Sequence, residues 1–123
     1  MKTDNVYEAG HTHEAEALTE FCPQYARAIN VLGRRWMGVI LRVLLTGPHR
    51  FNEILGVIPG LSDPTLSQRL RELETEGLVT RRVLPTSPVR VEYELTPAGR
   101  DLERVVREIS TWAATWMSAA PAT

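Results

Sequence analysis

Only two short stretches of this chain alternate as strands do, and they lie side by side in the sequence. Leu78 to Leu84 and Val89 to Leu95 flank Pro85-Thr86-Ser87-Pro88, a run of prolines and small polar residues suited to a turn. In the second stretch Val89, Val91, Tyr93 and Leu95 fall on one face and Arg90, Glu92 and Glu94 on the other. Every other periodic segment has helical spacing. The chain is therefore mainly α with one small β-hairpin, and its 123 residues predict one domain with a sizeable core.

The helical segments are delimited by their own start and stop residues. Cys22-Pro23 opens one, with proline at the first helical position, and Gly33 ends it. A second is expected from about Arg34, where Trp36, Ile40, Leu41, Leu44 and Leu45 recur at three- and four-residue steps until Thr46-Gly47-Pro48. A short third runs from about Arg50 through Phe51, Ile54 and Leu55 and is broken by Pro59-Gly60. Ser62-Asp63-Pro64 then caps a helix in which Leu66, Leu70 and Leu73 form one stripe, ending at Gly77. After the hairpin, Thr96-Pro97 opens a last helix carrying Leu102, Val105, Val106, Ile109, Trp112, Ala113, Trp116 and Met117 at near-heptad spacing. Three helices followed by a two-stranded hairpin is the order of a winged helix-turn-helix, here with a long C-terminal helix. The expected organisation is an N-terminal arm over 1–20, the winged core over 21–96, a dimerisation helix over 97–118 and a tail over 119–123.

Charge limits the partners. The net charge of −1 excludes a chain that binds polyanions by bulk charge, so a nucleic-acid site must be a local patch. Such a patch exists: residues 34–90 hold nine arginines against five acids, whereas Lys2 faces five acids within residues 1–21. No apolar run reaches the length of a membrane span, and the polar first twenty residues lack the apolar centre of a signal peptide, so a cytoplasmic protein away from membranes is expected.

The residues also carry a resemblance. Cys22-Pro23, Gly33-Arg34-Arg35-Trp36, Ile40-Leu41, Gly47-Pro48-His49-Arg50-Phe51-Asn52-Glu53-Ile54, Leu70-Arg71-Glu72-Leu73-Glu74, Gly77-Leu78-Val79 and Val91-Glu92-Tyr93-Glu94-Leu95-Thr96 together look like the HxlR-type winged helix-turn-helix transcriptional regulators. The likeness covers about residues 21–118 and separates the chain from the broader MarR-like group. It implies a homodimer on an inverted repeat of double-stranded DNA, with the terminal helices pairing the subunits. It also implies that the cysteine at Cys22 serves some members as a redox sensor. Arg35 stands where the family usually has lysine before the tryptophan.

Turning Leu66, Leu70 and Leu73 inward points Thr65, Gln68 and Arg71 outward, with Ser67 and Arg69 on the flanks. These are side chains that read DNA, glutamine pairing with adenine and arginine with guanine; the bland reading is a solvated helix face. Ser62 joins them as the cap at the same end. Arg50, before the short third helix, suits a phosphate clamp, or a salt bridge to Glu53 or Glu72. Arg81, Arg82 and Arg90 flank the hairpin, and Arg90 is the best placed to meet a DNA backbone. Glu72, Glu74 and Glu76 crowd the far half of the recognition helix, which should face away from phosphates.

Cys22 sits beside a helix start whose free N–H groups favour a thiolate, so it is a candidate redox-sensing residue; a small buried filler is the alternative. With no second cysteine, any disulfide joins two subunits or a small thiol. His11-Thr12-His13-Glu14 with Cys22 offers zinc ligands, but a His-x-His pair in a polar tail is ordinarily solvated, and neither metal nor cofactor is expected. Trp112, Trp116 and Met117 make the last helix a candidate dimer seam. A cavity among Phe21, Tyr25, Trp36, Trp112 and Trp116 would accept a small aromatic effector. No nucleophile elbow, phosphate loop or acid pair points to an enzyme. The rival to a DNA-binding regulator is a winged-helix protein-interaction module, and salt dependence of binding separates the two.

Overall fold

The computed structural model describes residues 18–117; His11, His13, Glu14, most of the expected arm and the tail lie outside them. The chain divides into two compact units, one ending at Gly33 and one starting at Arg34. Within the first, helix α1 spans Pro23–Leu32, between the two residues expected to bound it. Cys22 is its N-cap, and its Sγ accepts the Tyr25 N–H at 3.4 Å.

The second unit begins with a bend instead of a helix. Helix α2 spans Met37–Leu44, three residues later than the start expected at Arg34, because Trp36 takes φ 74° and ψ −12°. A bulky residue there stores about 1–3 kcal/mol of strain. Trp36 keeps the helical spacing because its carbonyl still accepts the Ile40 N–H, the first bond of the helix. The short α3 (Phe51–Val57) and the longer α4 (Asp63–Thr75) follow. Ser62 caps α4, accepting the Thr65 N–H at 3.3 Å. At its other end Gly77, with φ +75°, lets the Leu78 N–H reach back to the Leu73 carbonyl at 2.9 Å, a stop that needs a left-handed residue.

Strands β1 (Val79–Leu84) and β2 (Arg90–Leu95) pair antiparallel, Val79 opposite Leu95 and Leu84 opposite Arg90. His49, in the turn before α3, adds a one-residue third strand: its N–H donates to the Tyr93 carbonyl at 3.0 Å and its carbonyl accepts the Tyr93 N–H at 2.8 Å. The wing is thereby tied to the turn that precedes α3.

The run read as one helix over 97–118 is two. Helix α5 (Pro97–Arg100) and helix α6 (Glu103–Trp116) are separated by a tight turn at Asp101 and Leu102, where the Leu102 N–H bonds Gly99 three residues back. Helix α5 is packed closely against the wing. A Cβ on Gly99 would lie 2.3 Å from the Leu78 carbonyl oxygen, and Arg100 donates to the Leu95 carbonyl at 2.8 Å, so α5 is held against the base of the wing.

The core of this unit is built from Met37, Ile40, Leu41 and Leu44 of α2, Ile54 of α3, Leu66, Leu70 and Leu73 of α4, and Val79 and Leu95 of the wing. Among the described residues no helix is long and apolar enough to cross a membrane.

Candidate nucleic-acid interface

Burying Leu66, Leu70 and Leu73 fixes the rotation of α4 and leaves Ser62, Gln68 and Arg71 exposed, with Thr65, Ser67 and Arg69 half-buried beside them. The polar side chains are ordered by one another. Arg71 donates from Nη1 to Ser67 Oγ at 2.7 Å and from Nη2 to Gln68 Oε1 at 3.0 Å. Gln68 donates from Nε2 to Glu72 Oε2 at 2.9 Å. Ser62 Oγ donates to Thr65 Oγ1 at 3.0 Å.

Arg69 is placed differently. Its Nε donates to the Arg35 carbonyl at 2.9 Å and its Nη1 to both Glu72 oxygens, at 3.0 and 3.1 Å, with 19% of the side chain exposed. Of the residues expected on the reading face it is the one whose guanidinium is turned into the protein. Glu72 also meets Arg34 Nη1 at 3.3 Å. Its carboxyl is held below the usual range, chiefly by the Gln68 amide; burial opposes this, and the charges of Arg69 and Arg34 add to the lowering.

Arg50, the N-cap of α3, donates its backbone N–H to Glu53 Oε1 at 2.8 Å, and its guanidinium lies 3.6 Å from Glu53 Oε2. That backbone bond is the main reason the Glu53 carboxyl sits below its ordinary value. The pair is solvent-exposed, and screening by water makes such a contact weak. On the wing, Arg82 is bound to Glu94 at 2.8 Å, whereas Arg81 and the exposed Arg90 make no ion pair among the described residues. Exposed arginines are thus carried by α4 (Arg71), by the cap of α3 (Arg50) and by the wing (Arg81 and Arg90).

Phe21 and Tyr25 are exposed in the first unit. Trp36 is half-buried in the second, with the Arg35 guanidinium 5.3 Å from its ring centroid. Trp112 and Trp116 are exposed on α6, on a face shared with Val105 and Ile109. Sequence reasoning missed Glu72, Arg34 and the Arg35 carbonyl as partners of the α4 polar row. The signal available was an acid four residues after Gln68 and three after Arg69, the spacing of helical neighbours.

Three helices, a two-stranded wing and an exposed polar helix face define a winged helix-turn-helix protein. The chain belongs to the HxlR-like helix-turn-helix family, whose model matches residues 31–121. It is accordingly a DNA-binding regulator of transcription. It is 46% identical over 99 residues to the uncharacterised regulator YvaP of Bacillus subtilis, an alignment covering 80% of this chain and 92% of YvaP. With the B. subtilis regulator YodB it shares 47% identity over 92 residues, covering 75% of this chain and 82% of YodB. The reduced form of YodB superimposes with a TM-score of 0.73 over 83% of this chain and 100% of that structure, at 42% identity. The oxidised form of the redox regulator HypR gives 0.74 over 80% and 100%, at 35% identity. Structures of diamide-treated and quinone-bound YodB are also similar to this chain.

Proposed function

We propose that the chain is a homodimeric, sequence-specific regulator that binds an inverted-repeat operator and is switched through Cys22. The observation that carries the reading is the ordered row of Ser67, Gln68 and Arg71 on the face of α4 opposite its buried leucines. Gln68 and Arg71 take base edges in the major groove, with Thr65 and Ser67 at bases or phosphates, while Ser62, Arg50 and Arg90 meet the backbone. Arg69 serves the same surface by holding α4 to the bend at Arg35. Pairing is supported by α6: Val105, Ile109, Trp112 and Trp116 form an apolar row too large to leave in water, and two-fold closure buries it without making fibres.

Regulation is assigned to Cys22, an exposed thiol at a helix start. Support comes from YodB, solved after diamide treatment and with quinone bound, and from HypR, described as a redox regulator. An aromatic electrophile such as a quinone would bring the effector and the thiol chemistry together. Oxidation or alkylation there adds a polar or bulky group beside Tyr25 and changes how the subunits present their two α4 helices.

The test begins by selecting duplexes from a randomised library with the reduced protein, then titrating the enriched duplex with wild type and Cys22→Ser, each before and after diamide. Wild-type affinity should change by about tenfold, ~1.4 kcal/mol, and Cys22→Ser should bind normally without responding. Equal affinities in all four conditions would remove Cys22 from the mechanism. Failure to enrich any sequence would remove the operator.

A further inference from the structure

Glu72 lies in the C-terminal half of α4, the half expected to face away from phosphates, yet it is bonded to the polar row proposed to read DNA. Its carboxylate accepts the Gln68 amide on one side and pairs with Arg69 and Arg34 on the other. Arg69 in turn holds the carbonyl of Arg35, beside the left-handed Trp36. A continuous chain of bonds therefore runs from the bend before α2, through Glu72, to Gln68 and on to Arg71 and Ser67.

The hydrogen-bond capacity of Gln68 makes this consequential. A side-chain amide has two N–H donors and two acceptor lone pairs. Glu72 takes one donor and Arg71 occupies one lone pair, so the amide is fixed with one of each left over. One donor and one acceptor are what bidentate recognition of adenine requires. The carboxylate also fixes which end of the amide is which, because it accepts from the NH2 group and would repel the oxygen.

We propose that Glu72 is a positioning residue for base readout: anchored by Arg34 and Arg69, it orients Gln68 and, through it, Arg71, so that discrimination between DNA sequences depends on an acid that contacts no base. The inference rests on α4 being the reading helix. It opposes simple electrostatics, in which deleting an acid beside DNA tightens binding to every duplex.

The test uses the full-length protein and a duplex enriched from a randomised library by wild type, with a scrambled duplex as reference. Alanine is well tolerated in helices, so Glu72→Ala is expected to fold, which circular dichroism checks; Glu72→Gln substitutes if it does not. Binding to the scrambled duplex should stay equal or tighten. The ratio of enriched to scrambled affinity should fall by about three- to tenfold, the range that immobilising one or two such side chains covers. In a Gln68→Ala background, Glu72→Ala should change that ratio no further. An unchanged ratio, a parallel loss on both duplexes, or full additivity with Gln68→Ala would each overturn the proposal. A wild type that enriches no sequence would instead overturn the base-reading assignment of α4, and this inference with it.

Discussion

Helices α4 and α6 carry apolar rows of the same spacing and meet opposite fates within one chain. In α4, Leu66, Leu70 and Leu73 are 0%, 1% and 0% exposed; in α6, Val105, Ile109, Trp112 and Trp116 are 37%, 61%, 54% and 73% exposed. Amphipathic spacing says which face of a helix needs a partner, not where the partner comes from. Helix α4 finds its cover in α3 and the wing, and burying its leucines turns its polar face outward. Helix α6 has no fully buried residue and leaves its apolar row exposed.

The comparison can be broken from either side. Leu70→Ala should cost about 2–5 kcal/mol of fold stability, since the leucine is enclosed on all sides, and urea unfolding would register it. A loss below 1 kcal/mol would mean the α4 stripe is less committed than its burial indicates. Ile109→Arg should leave the secondary structure intact while weakening self-association by about thirtyfold or more, the range of a central interface residue; sedimentation of both proteins at micromolar concentration measures it. If the wild type itself sediments as a monomer, α6 has another use.

Much of the contrast was legible in the sequence, because capping residues and leucine spacing are local signals. Ser62, Gly77, Pro23 and Gly33 bound their helices as their chemistry requires, and the fourfold spacing in α4 identified its inward face. What escaped detection depends on contacts distant in sequence. The helix break at Asp101 and Leu102 comes directly after Gly99, which packs under the Leu78 carbonyl, a contact twenty-one positions away in sequence. The His49 strand is a single residue with no periodicity to detect. Arg69 has the outward-flank spacing of a DNA contact but is claimed by the Arg35 carbonyl, thirty-four positions away.

Smaller effects sharpen the account of the polar face. Arg90→Ala should weaken binding to enriched and scrambled duplexes alike and reduce the salt slope by about 0.9, as loss of one phosphate contact requires; a change confined to one sequence would reassign Arg90 to base reading. The smallest effect is on stability against pH. Glu72 and Glu53 titrate lower folded than unfolded, so each contributes stability present above the unfolded carboxylate value of about 4.3 and lost as pH falls through the folded one. Glu72→Gln should therefore flatten the decline of urea stability below about pH 4.3, and an unaltered decline would separate Glu72 from the cluster drawn around it.

The central claim is that one apolar row is spent on folding and the other on pairing, so that two outward α4 faces read DNA together. The most direct measurement is the mass of the complex on the enriched duplex, for wild type and for Arg71→Ala, by light scattering at saturating protein. The account predicts two chains per duplex for both proteins, with Arg71→Ala losing about 1–3 kcal/mol of preference for the enriched over the scrambled sequence. One chain per duplex, or an Arg71→Ala preference equal to that of the wild type, would contradict it.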